Sequence, residues 1–320
     1  MSEYVVSVDL GGTQVRAALV DTTGRVHARE STLTRSEEGQ AAVLNRIFEC
    51  TSKVIGSLPK DEIRGIGIGA PGPLNPWTGV VTEAANLSGW YDVPLAHIVE
   101  ERFELPTLLG NDANVAALAE RRFGAAQGTA NMIYMTVSTG IGGGIIVDGE
   151  LLLGADGLAG EVGHQTIEVN GLQCNCGNTG CLETLAAGPA IARRTVERLQ
   201  AGAESIIPKL VNGDLSKVTA AVVSKAASEG DALAIEMLRI AGFYIGVGIV
   251  NLIHLFNPEL FVIGGGVSKA GEFLFEPIRQ TVSERAMESM QSGVRILPAA
   301  LGDDVVLLGA ACLFLSPEMG

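Results

Sequence analysis

Positive charge is scarce in this sequence. Its 320 residues carry 22 Lys and Arg against 36 Asp and Glu, a net charge of −14. That argues against a nucleic-acid partner held through phosphate contacts. A small anion stays open, since a few backbone N–H groups can build a local positive field on an acidic protein. Long uninterrupted apolar runs are also missing. The longest stretch, Ala241 to Phe256, is broken by Asn251 and His254 and halts at Asn257-Pro258. It is too short and too polar to span a bilayer and is expected to be a buried helix. Neither low-complexity tracts nor long linkers occur, and 47% apolar residues are ample for burial. A strand-like run begins at once with Tyr4-Val5-Val6, with no charged and apolar leader before it, so the expected compartment is the cytoplasm.

Cysteine and histidine are sparse as well, five and four in the whole chain. Yet three cysteines and one histidine fall within EVGHQTIEVNGLQCNCGNTGCLET, from Glu161 to Thr184. In the cytoplasm a close CxC pair is a metal site more often than a disulfide. His164, Cys174, Cys176 and Cys181 supply one imidazole and three thiolates, a full tetrahedral set with no ligand position left for water. Closed sites of this kind are structural, and the metal's affinity becomes folding energy. Zinc is the ion expected there. Gly177 and Gly180 free the backbone to wrap it, while Cys50 and Cys312 lie in apolar helical runs and read as core. Glu161 and Glu183 flank the ligands. They are either surface carboxylates or hydroxyl-binding groups on a rigid mount, since outer groups of a metal site are held in place.

β-rich runs alternate with longer helical ones, which is the α/β pattern, and the chain length favours two domains. VVSVDLGGTQVRAALVDTTGRV reads as strand, Gly-rich turn, strand, Asp-containing turn, strand. MIYMTVSTGIGGGIIVDGELL repeats the plan more than a hundred residues later. Such an echo suggests two similarly built domains with their turns facing across a cleft. Helices are expected over Glu38 to Leu58, Pro189 to Leu199 and Ala232 to Phe256. IRGIGIGA and ELFVIGGGV are expected as strands, and LLGAACLFL as a small-residue helix.

Three glycine-rich turns follow strands: Gly11-Gly12-Thr13, Ser138-Thr139-Gly140 with Gly142 to Gly144, and Gly264-Gly265-Gly266. Each alone fits a tight hairpin; three together, two with threonine hydroxyls, point to phosphate. Asp9, just before the first turn, either caps it or holds Mg²⁺ through water. The nucleotide loop GxxxxGK[ST] is absent. Gly67, Gly69 and Gly72 fit GxGxxG, but PLNPWTG follows where the dinucleotide fingerprint requires a helix, so that match is accidental. In LLGNDANVAAL, the pair Asn111-Asp112 ends a strand and starts a helix. It is either a helix cap or a ligand group, with Asp112 able to take a proton from an attacking hydroxyl.

These residues together resemble the ROK family (repressors, uncharacterised reading frames and sugar kinases), and within it the bacterial glucokinases. DLGGTQVR and STGIGGGI resemble its two phosphate motifs, and GNDANVAALAE its Asn-Asp motif. EVGH matches ExGH, CNCGNTGCLE matches the CxCGxxGCxE zinc signature, and FVIGGGV resembles the nucleotide-side motif. The resemblance spans essentially the whole chain. It implies an actin-like (ribonuclease H-like) sugar kinase fold with two α/β domains and an interdomain cleft. The domains implied are residues 1–112, rejoined by a C-terminal helix at about 305–320, and residues 113–304, which carry the zinc loop.

The implied activity is ATP-dependent phosphorylation of glucose at its 6-hydroxyl. Asp112 is the implied base. Gly72, Asn86, Asn111, Asp112, Glu161, His164 and Glu183 are the implied sugar contacts, with His164 serving both zinc and substrate. Asp9, Gly11, Gly12, Thr13, Thr139, Gly140, Gly264, Gly265 and Gly266 are the implied ATP side, with Mg²⁺. Gln14 departs from the commoner Lys or Asn of the family pattern. The alternatives are another hexose, such as N-acetylmannosamine or fructose, and a non-catalytic sugar-sensing regulator. With Asp9 almost at the first residue, a preceding helix-turn-helix domain is not expected. A homodimer or tetramer without nucleic-acid or membrane partners is.

Overall fold

The computed structural model of the chain describes residues 3–84, 86–291 and 293–315. The chain opens with Tyr4–Leu10 (β1), Gln14–Asp21 (β2) and Val26–Leu33 (β3), then the helix Gln40–Ile55 (α1). Ile63–Ala70 (β4) precedes three short strands, Leu74–Asn75 (β5), Val80–Glu83 (β6) and Tyr91–Val93 (β7). Leu95–Phe103 (α2), Thr107–Asn111 (β8) and Asp112–Phe123 (α3) follow. Next come Met132–Val137 (β9), Ile141–Val147 (β10) and Glu150–Leu151 (β11). A helical run holds Leu182–Ala186 (α4), Gly188–Gln200 (α5), Ile207–Leu210 (α6), Ala220–Ser228 (α7) and Ala232–Phe256 (α8). Leu260–Gly264 (β12), Glu272–Arg285 (α9), Glu288–Gln291 (α10), Arg295–Pro298 (β13) and Val305–Leu315 (α11) close the chain.

Two compact units result. The first is Met1–Gly128, Gly144–Gly160 and Ala300–Gly320; the second is Thr129–Gly143 and Glu161–Ala299. The boundary implied at residue 112 and the observed one at 128 differ by α3. This helix packs so tightly on α11 that a Cβ on Gly309 would overlap the carbonyl of Val115. Gly144 to Gly160 also falls in the first unit, where a Cβ on Gly144 would lie 2.7 Å from that of Ala117.

The first unit's sheet has the order β3-β2-β1-β4-β8. β1 to β3 form an antiparallel meander, and β1, β4 and β8 run parallel. Parallel strands are covered on both faces, and β4 is buried from Gly65 to Ala70. Its glycines have a packing cause: a Cβ on Gly67 would overlap the carbonyl of Ala310 on α11. The GxGxxG match therefore reports helix-on-sheet packing. β5 to β7 form a separate antiparallel sheet that the proline-rich sequence did not announce.

One polar group closes this unit. Glu120, wholly buried, accepts from the backbone N–H groups of Ala125, Ala300 and Leu301 at 2.8, 2.9 and 3.0 Å. Three amide donors satisfy a carboxylate that burial would otherwise make costly.

The second five-stranded sheet has the order β11-β10-β9-β12-β13, parallel across β9, β12 and β13. α8 is long and apolar enough to cross a membrane by length and composition alone. Its Leu238, Ala241, Ile245, Ile249 and Ile253 are nevertheless wholly buried at helical spacing. Gly242 and Gly246 admit α9, where Cβ atoms would lie 2.7 Å from the carbonyl of Leu274 and 2.6 Å from the Cβ of Thr281. It is a core helix, as its interrupting Asn251 and His254 suggested.

Candidate functional site

In the first unit, buried β1 delivers Asp9 to the turn at Gly11-Gly12-Thr13. Arg16 stands directly opposite on β2 and donates from Nε at 2.7 Å and from Nη2 to the same oxygen, Oδ2 of Asp9. Burial pushes the carboxyl of Asp9 up, and the adjacent Arg16 guanidinium opposes that shift. The turn is braced by Gly11 N–H donating to the carbonyl of Gln14 at 2.9 Å, and by Thr34, whose Oγ1 donates to the carbonyl of Gly11 at 2.6 Å.

Neither Gly11 nor Gly12 has positive φ. Glycine is needed at 12 because a Cβ there would lie 2.9 Å from that of Asn86. This correction also brings Asn86, read as a sugar-side residue, against the first glycine turn.

Asn111 and Asp112 join β8 to α3. The capping reading holds for Asn111, whose Oδ1 accepts from Ala113 N–H at 3.0 Å and Asn114 N–H at 3.3 Å. With that oxygen committed, its Nδ2 faces Gly72, 3.1 Å from where a Cβ would stand. Asp112 is half-buried, and its Oδ1 accepts from Ala113 N–H at 2.7 Å. Gly72, Asn111 and Asp112 thus form one group of neighbours.

In the second unit, the four metal-type ligand atoms of His164, Cys174, Cys176 and Cys181 lie within 4.8 Å of one another. A tetrahedral ion about 2.3 Å from each sulfur sets neighbouring sulfurs about 3.8 Å apart. The Cys176 and Cys181 sulfurs are 3.7 Å apart, and His164 Nδ1 is 3.7 Å from the Cys174 sulfur. The loop is prefolded by Cys174 N–H donating to the carbonyl of Asn178 and by bridges pairing Gln173 with Thr179 and Thr166 with Cys181. Backbone N–H donation from Asn178 holds the Cys176 thiol low, whereas burial and then the neighbouring thiols push Cys181 up to about 12. Three thiolates gathered this closely call for a cation, so the donor set fits a divalent metal. His164 turns its other nitrogen, Nε2, toward Glu161, 3.9 Å from Oε2.

Glu183, two residues past Cys181, reaches the second glycine turn. Its Oε2 accepts from Ile141 N–H at 2.8 Å, and a Cβ on Gly140 would lie 2.5 Å from that oxygen. Gly142 to Gly144, grouped with this turn in the sequence, instead lie inside β10. Gly143 and Gly144 are glycines because Val162 and Ala117 press on the strand: a Cβ on Gly143 would lie 2.6 Å from Val162 Cγ2. The third turn does need positive φ, at Gly265 (87°), where the backbone crosses close over Val137.

The second and third turns meet at a cavity of about 570 Å³. Ser138, Thr139, Gly266 and Val267 line it, with Gly188 and Pro189 from the start of α5 and Thr219 and Ala220 from the start of α7. Helix N-termini present unpaired N–H groups and favour an anion. A second cavity of about 470 Å³ shares Thr139 and Pro189 with the first and includes Glu183, Cys174 and Arg193. Of the two helix starts, the sequence predicts the one at Pro189 without a role at the site and does not predict that of α7. Their signals were present, Pro189 at the first turn of α5 and Thr219 as the cap of α7, whose Oγ1 accepts from Val222 N–H at 3.3 Å.

The model of the ROK family matches residues 5–316. The glucokinase of Halalkalibacterium halodurans is 39% identical over 318 residues, covering 98% of this chain and 96% of that enzyme. The xylose repressor of Caldicellulosiruptor bescii is 33% identical over 314 residues, which is 98% of this chain but 78% of the repressor. Among solved structures, a ROK family glucokinase from Streptomyces griseus in complex with glucose and AMPPNP superposes with a TM-score of 0.85 at 34% identity, covering 97% of this chain and 98% of that one.

Proposed function

The chain belongs to the ROK family, and from that premise we propose that it is a glucokinase, transferring the γ-phosphoryl group of ATP to the 6-hydroxyl of glucose. One observation carries the reading: Glu183 is bonded to the same glycine turn that borders the larger cavity, so a hydroxyl-binding acid and an anion-binding turn are one assembly. The glucose and AMPPNP bound by the S. griseus relative support both ligands.

Asn111, Glu161, His164 and Glu183, with Gly72 and Asn86, hold the sugar hydroxyls. Asp112 takes the proton from the 6-hydroxyl as its oxygen forms a bond to phosphorus and the bond to the ADP oxygen breaks. Backbone amides at Gly11 to Thr13, Thr139-Gly140 and Gly264 to Gly266 face the phosphates. Asp9 suits Mg²⁺, being a nearly buried carboxylate beside a phosphate turn; the ion supplies charge neutralisation on the phosphates when bound. We assign the four-ligand cluster to zinc, because three thiolates and one imidazole form a closed soft set.

Gly140→Ala is expected to lower kcat/KM by about ten-fold or more in steady-state assays, since the new Cβ displaces Glu183 from a charge-assisted hydrogen bond. The kinase reading itself is tested by ADP release over a panel of hexoses that includes glucose, N-acetylmannosamine and fructose. Glucose is expected to be preferred, and preference for another hexose would replace only the substrate. Sugar binding with no ADP release from any hexose would favour the regulator reading that the repressor match raises. Sedimentation of the same sample would read the dimer or tetramer that the family resemblance implies.

A further inference from the structure

We infer that Arg16 is a positioning residue for the phosphate-side carboxylate: it locks the rotation of Asp9 so that one oxygen is spent on the guanidinium and the other is presented for the nucleotide-bound Mg²⁺. The inference rests on the proposed kinase reading, and neither the chemistry nor the motifs of the sequence gave Arg16 a role. Both Asp9 contacts of Arg16 fall on Oδ2, from Nε and from Nη2. The third nitrogen, Nη1, donates to the backbone carbonyl of Asp303 at 2.7 Å. That carbonyl belongs to the 3-10 turn Gly302–Asp304 at the start of α11, and Arg29 donates to the carboxylate of Asp304 beside it at 2.6 Å.

The guanidinium therefore works as a rigid spacer between a main-chain anchor and a nearly buried acid. Two guanidinium nitrogens converging on one carboxylate oxygen, with the third held by a main-chain carbonyl, fix where that oxygen sits more tightly than a single ammonium can. An ordinary exposed ion pair contributes little, but here the acid is 8% exposed and lies directly before the first glycine turn. Mg²⁺ is commonly held by one or two carboxylates together with substrate phosphates. A neutralised, pre-aimed aspartate suits an ion that arrives and leaves with the nucleotide.

The test uses the full chain with R16K and R16Q, measuring AMPPNP binding by calorimetry with and without Mg²⁺, alongside kcat, the KM for glucose and thermal unfolding. In both variants the tightening of nucleotide binding by Mg²⁺ is expected to shrink by about ten-fold or more, as is usual when an outer partner of a metal group is lost. kcat should fall in step while the KM for glucose stays within about two-fold, because a phosphate-side group leaves sugar contacts alone. R16K keeps the charge and remains informative if R16Q does not fold. Unchanged or stronger Mg²⁺ dependence in R16K would overturn the inference, the second outcome marking Arg16 as a competitor of the ion. A parent chain whose nucleotide binding ignores Mg²⁺ would overturn the role of Asp9 and this inference with it.

Discussion

Asp112→Asn is expected to lower kcat by about 10²- to 10⁴-fold, the usual worth of a positioned general base, while glucose binding stays within a few-fold of the parent. The substitution is near-isosteric, and the bond that seats the side chain survives it. Asp112 Oδ1 accepts from Ala113 N–H at 2.7 Å, and an asparagine oxygen can accept from the same donor. The neighbouring cap shares the Ala113 N–H with Asp112 and also holds Asn114 N–H through Asn111 Oδ1, so an asparagine oxygen at 112 leaves both bonds available. What disappears is the ability to take a proton. A loss confined to kcat, with sugar affinity retained in a calorimetric titration, separates a base from a sugar-binding acid. Near-normal turnover would remove Asp112 from the chemistry and leave it as a first-turn helix residue.

The elements of this chain were legible wherever local pattern and tertiary demand agree. The meander β1 to β3 follows from three β-rich runs around a Gly-rich turn and an Asp-containing turn. α8 is readable because its apolar face repeats at helical spacing over 25 residues. The metal loop is readable because spacing alone brings four soft ligands together. Failures occur where glycine serves packing and not φ. Gly143 and Gly144 look like turn residues in sequence, yet each sits inside a strand pressed by another element. α3 falls on the other side of the implied boundary because tertiary contacts tie it to the first unit, Gly309 against Val115 and Glu120 on the amides of Ala300 and Leu301 among them. The pairing of Arg16 with Asp9 was invisible for another reason. It depends on β-register, which places them opposite one another, and on a carbonyl 287 positions further along the chain.

Cys176→Ala is the sharper probe of the metal loop, and its expected result is loss of bound metal together with a more than about hundred-fold loss of metal affinity. Cys174 and Cys181 are buried, so truncating either would remove packed volume as well as a ligand. Cys176 is exposed, and an alanine there costs the core nothing. Any fall in stability or sugar affinity in that variant must pass through the ion. The route is short: Glu183 follows Cys181 by two residues and is bonded to the N–H of Ile141, while Nδ1 of His164 faces the cysteines and its Nε2 faces Glu161. Releasing the cation therefore frees Glu161, His164 and Glu183 at once, whereas Asn111, fixed by α3, keeps its place. Weakening is also expected as pH falls. With its thiol pushed up to about 12 in the metal-free loop, Cys181 is protonated at neutral pH and must release that proton to bind. Each proton so displaced changes affinity about ten-fold per pH unit in favour of the alkaline side. Elemental analysis should find one zinc per parent chain, and chelation should raise the KM for glucose and lower the unfolding temperature of the second unit. A Cys176→Ala protein that retains both its zinc and its glucose affinity would reduce the cluster to a coincidence of thiols.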